Sequence, residues 1–172
     1  MIERKGAFTF RNREMTVIGE DVKPGNLAAE FEVLDNDFLL YKGLENTAGK
    51  VRIIAAVPSL ETSVCDRETR RFNTEAANLS KDVAILVVSM DLPYTQKRWC
   101  GAAGIDQVTV VSDALSKDFG VKYGVYLKEV GVFRRAIFVV DKKDTIAYAA
   151  YMSALGDEPN YDEVLNAARK LV

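Results

Sequence analysis

The chain has 172 residues, 48% of them hydrophobic and 28% charged, with a formal net charge of −2. That length suits one domain with a substantial buried core, expected to run over 1–172. The near-neutral charge gives no footprint for nucleic acid or an anionic membrane surface, and no apolar run approaches the ~20 residues that cross a bilayer.

There is no histidine and there are two cysteines, Cys65 and Cys100. The first fact excludes every site built on imidazole, including Ser–His or Cys–His nucleophile activation and haem held by histidine. Together the two facts exclude a closed zinc site of nitrogen and sulfur ligands within one chain, and nothing calls for a cofactor. The start, "MIERKGAFTF", lacks the apolar stretch and cleavage site of a secretory signal, so the cytosol is the expected compartment. The cysteines do not form Cys-x-x-Cys, which leaves them as small buried hydrophobes or as redox groups.

In chain order, "AFTFRNREMTVIG" alternates apolar and polar residues about Asn12-Arg13 and predicts a β-hairpin over about 6–19. "EFEVLDND" reads as a further strand, followed by a loop around "KGLENTAGK". Three short β-branched runs follow at 51–57, 83–90 and 108–111, with helix-like segments in the gaps. "FRRAIFVVD" and "TIAYAAYM" read as a closing hairpin through Lys142-Lys143-Asp144. The tail places Tyr161, Val164, Leu165, Ala168 and Val172 on one helical face. Apolar strands alternating with helices mean a parallel βαβ core, and the final hairpin makes the sheet mixed. The class is α/β.

In such a fold the loops after the strands gather at one sheet edge, where ligands bind. Cys65 follows the run 51–57 and Cys100 follows 83–90, so both belong to that edge. Thr62 or Ser63 is a candidate N-cap for a helix beginning near Cys65, and Ser63-x-x-Asp66 fits a capping box. A cysteine in that first turn lies near unpaired N–H groups and the positive end of the helix dipole, which favours the thiolate. Glu61, Asp66 and Glu68 oppose it, so a cation is needed, from Arg67, Arg70 and Arg71 or from an arginine on another strand. On position alone, a packed small residue is the commoner outcome for such a cysteine.

The segment "PSLETSVC" has the form Pro-x-x-x-Thr-x-x-Cys, the signature of peroxiredoxins. "PSLETSVCDRETRRFN", "SMDLPYTQKRWCGAAGI", "RRAIFVVD" and "DEPNYDEVL" occur in that order and resemble segments of the bacterial thiol peroxidases, the atypical two-cysteine branch. The likeness covers nearly the whole chain. One departure is Ala28-Ala29-Glu30-Phe31, where family members commonly carry Ala-Pro-x-Phe.

The resemblance implies a thioredoxin-like fold with an N-terminal hairpin and a thiol-dependent reduction of hydrogen peroxide and organic hydroperoxides. It implies Cys65 as the peroxidatic cysteine and Cys100 as the resolving one, joined during turnover by an intramolecular disulfide that thioredoxin reduces. It gives Thr62 the hydroxyl that touches thiolate and peroxide, Pro58 the shielding of the pocket, and Arg135 the grip on the sulfur. Strand alternation allows only one of Arg134 and Arg135 to face the site; the register selects Arg135 and makes Arg134 a solvated neighbour. Backbone N–H groups of Val64 and Cys65 are expected as further donors. Trp99 is expected to pack and anchor the resolving segment. The resemblance also implies a homodimer. The competing reading is a thiol redox sensor or thioredoxin-fold binding module without turnover. A disulfide needs Cα atoms about 4.4–6.8 Å apart, and residues at the starts of separate helices often stand farther apart, so local unwinding of the first turn around Cys65 and of the segment around Trp99-Cys100 is expected during turnover.

Overall fold

A computed structural model describes residues 1–172. The hairpin is β1 (Glu3–Phe10) and β2 (Arg13–Ile18), joined by Arg11 and Asn12 with φ of 51° and 60°. Two left-handed residues make the turn whose twist matches antiparallel strands, and they place it one residue earlier than the alternation suggested. A short pair follows, β3 (Glu32–Leu34) and β4 (Leu40–Lys42), and then a 3₁₀ turn at Glu45–Thr47. The core alternates β5 (Val51–Ala56), α1 (Ser63–Ala76), β6 (Val83–Ser89), α2 (Pro93–Ala103) and β7 (Thr109–Ser112). Beyond it lie α3 (Asp118–Lys122), β8 (Tyr126–Leu127), β9 (Val132–Phe133), β10 (Ala136–Val140), β11 (Ile146–Tyr151) and α4 (Tyr161–Arg169).

The main sheet runs β11-β10-β5-β6-β7-β3-β4, with β5, β6 and β7 parallel and every other pairing antiparallel. This is the mixed α/β sheet anticipated from the sequence. A second sheet, β1-β2-β8-β9, joins the hairpin to two strands too short to show any period in the sequence. Along β5 every residue is buried, and side chains alternate between faces. Ile54 and Ala56 join Leu86, Val88, Phe119, Tyr123 and Phe138 on one face. Ile53 and Ala55 join Val87, Phe72, Trp99, Val164 and Leu165 on the other. Helix α4 buries Val164, Leu165 and Ala168, whereas Val172 lies beyond the helix and is half exposed, contrary to the helical-face reading.

Glu30, within the segment that departs from Ala-Pro-x-Phe, ties that segment to the chain after β4. Its carboxylate accepts from the backbone N–H groups of Phe31, Leu44 and Glu45, which pins the strand entry to the segment after β4. Phe31 is fully buried, and a Cβ on Gly43 would lie 2.1 Å from its ring, so the backbone there passes directly over the aromatic face.

Candidate active site

Helix α1 begins at Ser63 and is capped by Thr62, whose φ/ψ of −86°/146° is extended and whose Oγ1 accepts from the Cys65 N–H at 3.3 Å. Thr62 in turn donates its hydroxyl proton to Ser59 O at 3.0 Å. The capping box expected from Ser63 and Asp66 is not formed, because Asp66 instead accepts from Trp99 Nε1 and from Arg70. The Cys65 N–H is likewise taken up by the cap and not left free as a donor to the site.

Cys65 lies in the first turn of α1 and is fully buried within the cluster that includes Ala55, Val57, Leu60 and Phe72. Pro58, in the segment between β5 and α1, is buried. Arg135, immediately before β10, sends Nη2 to within 3.2 Å of Cys65 Sγ. The same guanidinium donates from Nη1 to Glu68 Oε2 at 2.5 Å and from Nη2 to Leu155 O at 2.9 Å. Arg135 and Glu68 are both fully buried. A cation held by a buried carboxylate and a carbonyl is fixed in orientation, and its remaining donor is aimed at sulfur.

Arg134 points elsewhere, as strand alternation demands, but it is not solvated. It is buried, donates to Gly124 O, pairs with Asp21 and lies 4.1 Å over the Tyr151 ring. The reason is geometric: the second sheet covers the opposite face of this segment, so a side chain leaving the active site enters another interior. Arg67, Arg70 and Arg71 take no part at the sulfur; they pair with Glu158, Asp66 and Glu75 on the surface.

Sequence reasoning counted Glu68 only as an opposing charge and missed its role in the arginine's hold. The available signal was its spacing, three residues after Cys65 and hence on the same helical face. Burial pushes the Glu68 carboxyl up to about 7 against the pull of Arg135, and its Oε1 has no hydrogen-bond partner. A second contribution not visible beforehand is Asp91. Its carboxylate accepts from Ser59 Oγ, Leu60 N and Ser89 Oγ at 2.7–2.9 Å, tying the segment ahead of Cys65 to the segment ahead of α2.

Cys100 lies in the C-terminal half of α2, not at its start. It is half-buried against the cluster that contains Cys65, and both cysteines are free thiols. Burial raises its thiol, and the Asn36 amide beside it partly offsets that. Its carbonyl accepts from the Ile105 N–H and from Gly104, whose φ of 67° closes the helix. Trp99 packs in the core with Nε1 on Asp66, as an anchor should. Contacts between Arg98 and Glu61, and between Arg70 and Ala103 O, complete the link from α2 to the active-site segment.

The AhpC/TSA family matches residues 24–149. A thiol peroxidase from Oceanobacillus iheyensis is 49% identical over 162 residues, covering 94% of this chain and 98% of that protein. One from Bacillus subtilis is 46% identical, covering 95% and 97%. Among solved structures, a peroxiredoxin-like protein from Aquifex aeolicus superimposes with a TM-score of 0.87 at 37% identity, covering 96% of each chain.

Proposed function

The chain belongs to the AhpC/TSA family and is a thiol-dependent peroxidase, and on that premise we propose that Cys65 is its peroxidatic cysteine, with Arg135, Thr62 and Pro58 forming the site around it. The observation that carries this reading is the Arg135 Nη2 to Cys65 Sγ contact of 3.2 Å in a fully buried setting. A buried guanidinium aimed at sulfur stabilises negative charge there, and it stabilises the charge that develops on a peroxide oxygen as the O–O bond stretches.

The sulfur attacks one oxygen of the hydroperoxide. An S–O bond forms, the O–O bond breaks, and the other oxygen leaves as alkoxide or hydroxide and takes up a proton. Thr62 supports this step once its hydroxyl turns from Ser59 O toward the incoming peroxide. No general base is needed when sulfur is already ionised, so the absence of histidine costs nothing. The product on Cys65 is a sulfenic acid. Cys100 then displaces its oxygen as water and closes a disulfide, which the dithiol of a thioredoxin reduces.

Because Cys65 is fully buried and Cys100 sits inside a capped helix, the reading requires the first turn of α1 and the C-terminal half of α2 to unwind in turnover. Pairing of two copies and residence in the reducing cytosol belong to the same reading. The direct test is peroxide-driven loss of free thiols, with intact mass, in wild type, Cys65→Ser and Cys100→Ser. Wild type should lose two hydrogens, Cys100→Ser should gain one oxygen, and Cys65→Ser should stay inert. Sustained peroxide consumption with a thioredoxin system separates an enzyme from a sensor that reacts once. If stoichiometric peroxide leaves all three proteins unchanged, the assignment fails.

A further inference from the structure

Three successive residues of the turn between β3 and β4 meet three residues of α2 that lie one helical turn apart. Asn36 lies against the Cys100 thiol. Asp37 Oδ1 accepts from Lys97 Nζ at 2.7 Å. The Phe38 ring meets the Tyr94 ring with centroids 4.7 Å apart. Positions 94, 97 and 100 share one face of the helix, so the turn lies along that face and runs opposite to it.

The turn is built to hold this arrangement. Asp35 Oδ1 accepts from the N–H groups of Asp37 and Leu39, and Asp35 O accepts from the Phe38 N–H. Phe38 adopts φ of 63°, a left-handed conformation that a bulky residue takes only when its surroundings enforce it. The Asn36 Oδ1 is buried without a partner, a further sign that the amide is placed by the contact with α2 and not by its own hydrogen bonding.

Helix α2 is therefore gripped from two sides, and the two grips differ in kind. On one side Glu61, Asp66 and Arg70 hold Arg98, Trp99 and Ala103 O. Those residues belong to the Cys65 turn and the helix that follows it, so the loosening that exposes Cys65 also weakens them. On the other side the turn 35–39 joins β3 and β4 at the edge of the main sheet, outside the Cys65 segment and α1.

Resting on the proposed roles of Cys65 and Cys100, we propose that residues 36–38 form a clasp on α2 whose release gates resolution, and so decides how the Cys65 sulfenic acid is partitioned. Along one branch the Cys100 thiol attacks the Cys65 sulfur. The S–S bond forms, the S–O bond breaks, and the oxygen leaves as water carrying the thiol proton. Along the other, a second hydroperoxide transfers an oxygen to the sulfenate, giving a sulfinate and releasing an alcohol or water. A tight clasp lengthens the life of the sulfenic acid and favours the second branch.

Phe38→Gly is the informative change, because glycine keeps the left-handed turn while removing the ring, and it leaves Asn36 and the acidity of Cys100 untouched. Single-turnover mixing with hydrogen peroxide, followed by fluorescence of Trp99, the only tryptophan, and by acid-quenched mass, separates the two steps. The expected result is an unchanged peroxide-dependent step and a resolution step faster by about two- to tenfold, the range for one lost aromatic pair. The sulfinate fraction in excess peroxide should fall in parallel. Asp37→Asn should act in the same direction more weakly. In a Cys65→Ser background, iodoacetamide should alkylate Cys100 faster when Phe38 is replaced, a readout that requires no peroxidase chemistry. Resolution and alkylation rates equal to or slower than those of the parent would overturn the clasp while leaving the cysteine roles intact. Absence of any Cys65–Cys100 disulfide in wild type would overturn the roles and the gate together.

Discussion

Arg135 Nη2 reaches Cys65 Sγ across 3.2 Å although 70 positions separate them in the chain. The guanidinium is held in place by Glu68 and by Leu155 O, so its direction does not depend on the sulfur. Arg135→Ala should slow peroxide reduction by about 10²–10³, the usual loss for one preorganised donor. It should also destabilise the fold by about 3–5 kcal/mol, because Glu68 is left buried and unpaired. Stopped-flow rates and urea unfolding measure the two effects separately; a rate within tenfold of wild type in a folded Arg135→Ala protein would remove Arg135 from the mechanism.

The buried acids predict a pH dependence of stability. Burial raises Glu68 to about 7, so between roughly pH 4.5 and 7 the native chain binds more protons than the unfolded chain. Stability must then fall as pH rises through that window, with a slope of at most about 1.4 kcal/mol per pH unit for this one group. Glu68→Gln should flatten the profile there. Asp113, also fully buried and raised by burial to about 7, acts in the same direction, and Asp113→Asn isolates its share. Unfolding free energies at pH 5 and 8 for the three proteins decide it; identical slopes would show that neither group titrates in this range.

Thr62 has two separable tasks, capping α1 through its Oγ1 and supplying a hydroxyl to the site. Thr62→Val keeps the shape but loses both, at about 1 kcal/mol for the cap and with a loss in peroxide rate of the order of 10². Thr62→Ser should retain most of each. If Thr62→Val loses the stability but not the rate, the residue is a cap alone.

Asp91 holds Ser59, Leu60 and Ser89 with one carboxylate. Asp91→Asn replaces one accepting oxygen by a donor facing donors, and should cost about 1–3 kcal/mol. Because the loosened residues precede Thr62 and Cys65, the peroxide rate should fall as well. Hydrogen exchange at Leu60 would rise with it, and unchanged protection there would contradict the argument.

The sequence by itself determined much of this protein. Runs such as "VRIIAAV" and "VAILVVSM" could only be strands buried on both faces, and their spacing left room only for crossover helices. The total absence of histidine excluded every imidazole-based site. The helix start at Cys65 and its cap at Thr62 are local properties that a short segment carries, whereas alternation allowed only one of Arg134 and Arg135 to face the site and the family resemblance chose Arg135. Interior contacts between distant segments were decided only in three dimensions. Arg134 was read as solvated because nothing local reveals a second sheet whose strands Tyr126–Leu127 and Val132–Phe133 are two residues each. Glu68 read only as a charge opposing the thiolate because only the folded chain brings an arginine from 67 positions away to its carboxylate. Cys100 was expected at a helix start, whereas Pro93 begins the helix well before it. Local pattern records which face a residue shows; what waits on that face depends on how the whole chain closes, since burial and pairing are properties of the packed assembly.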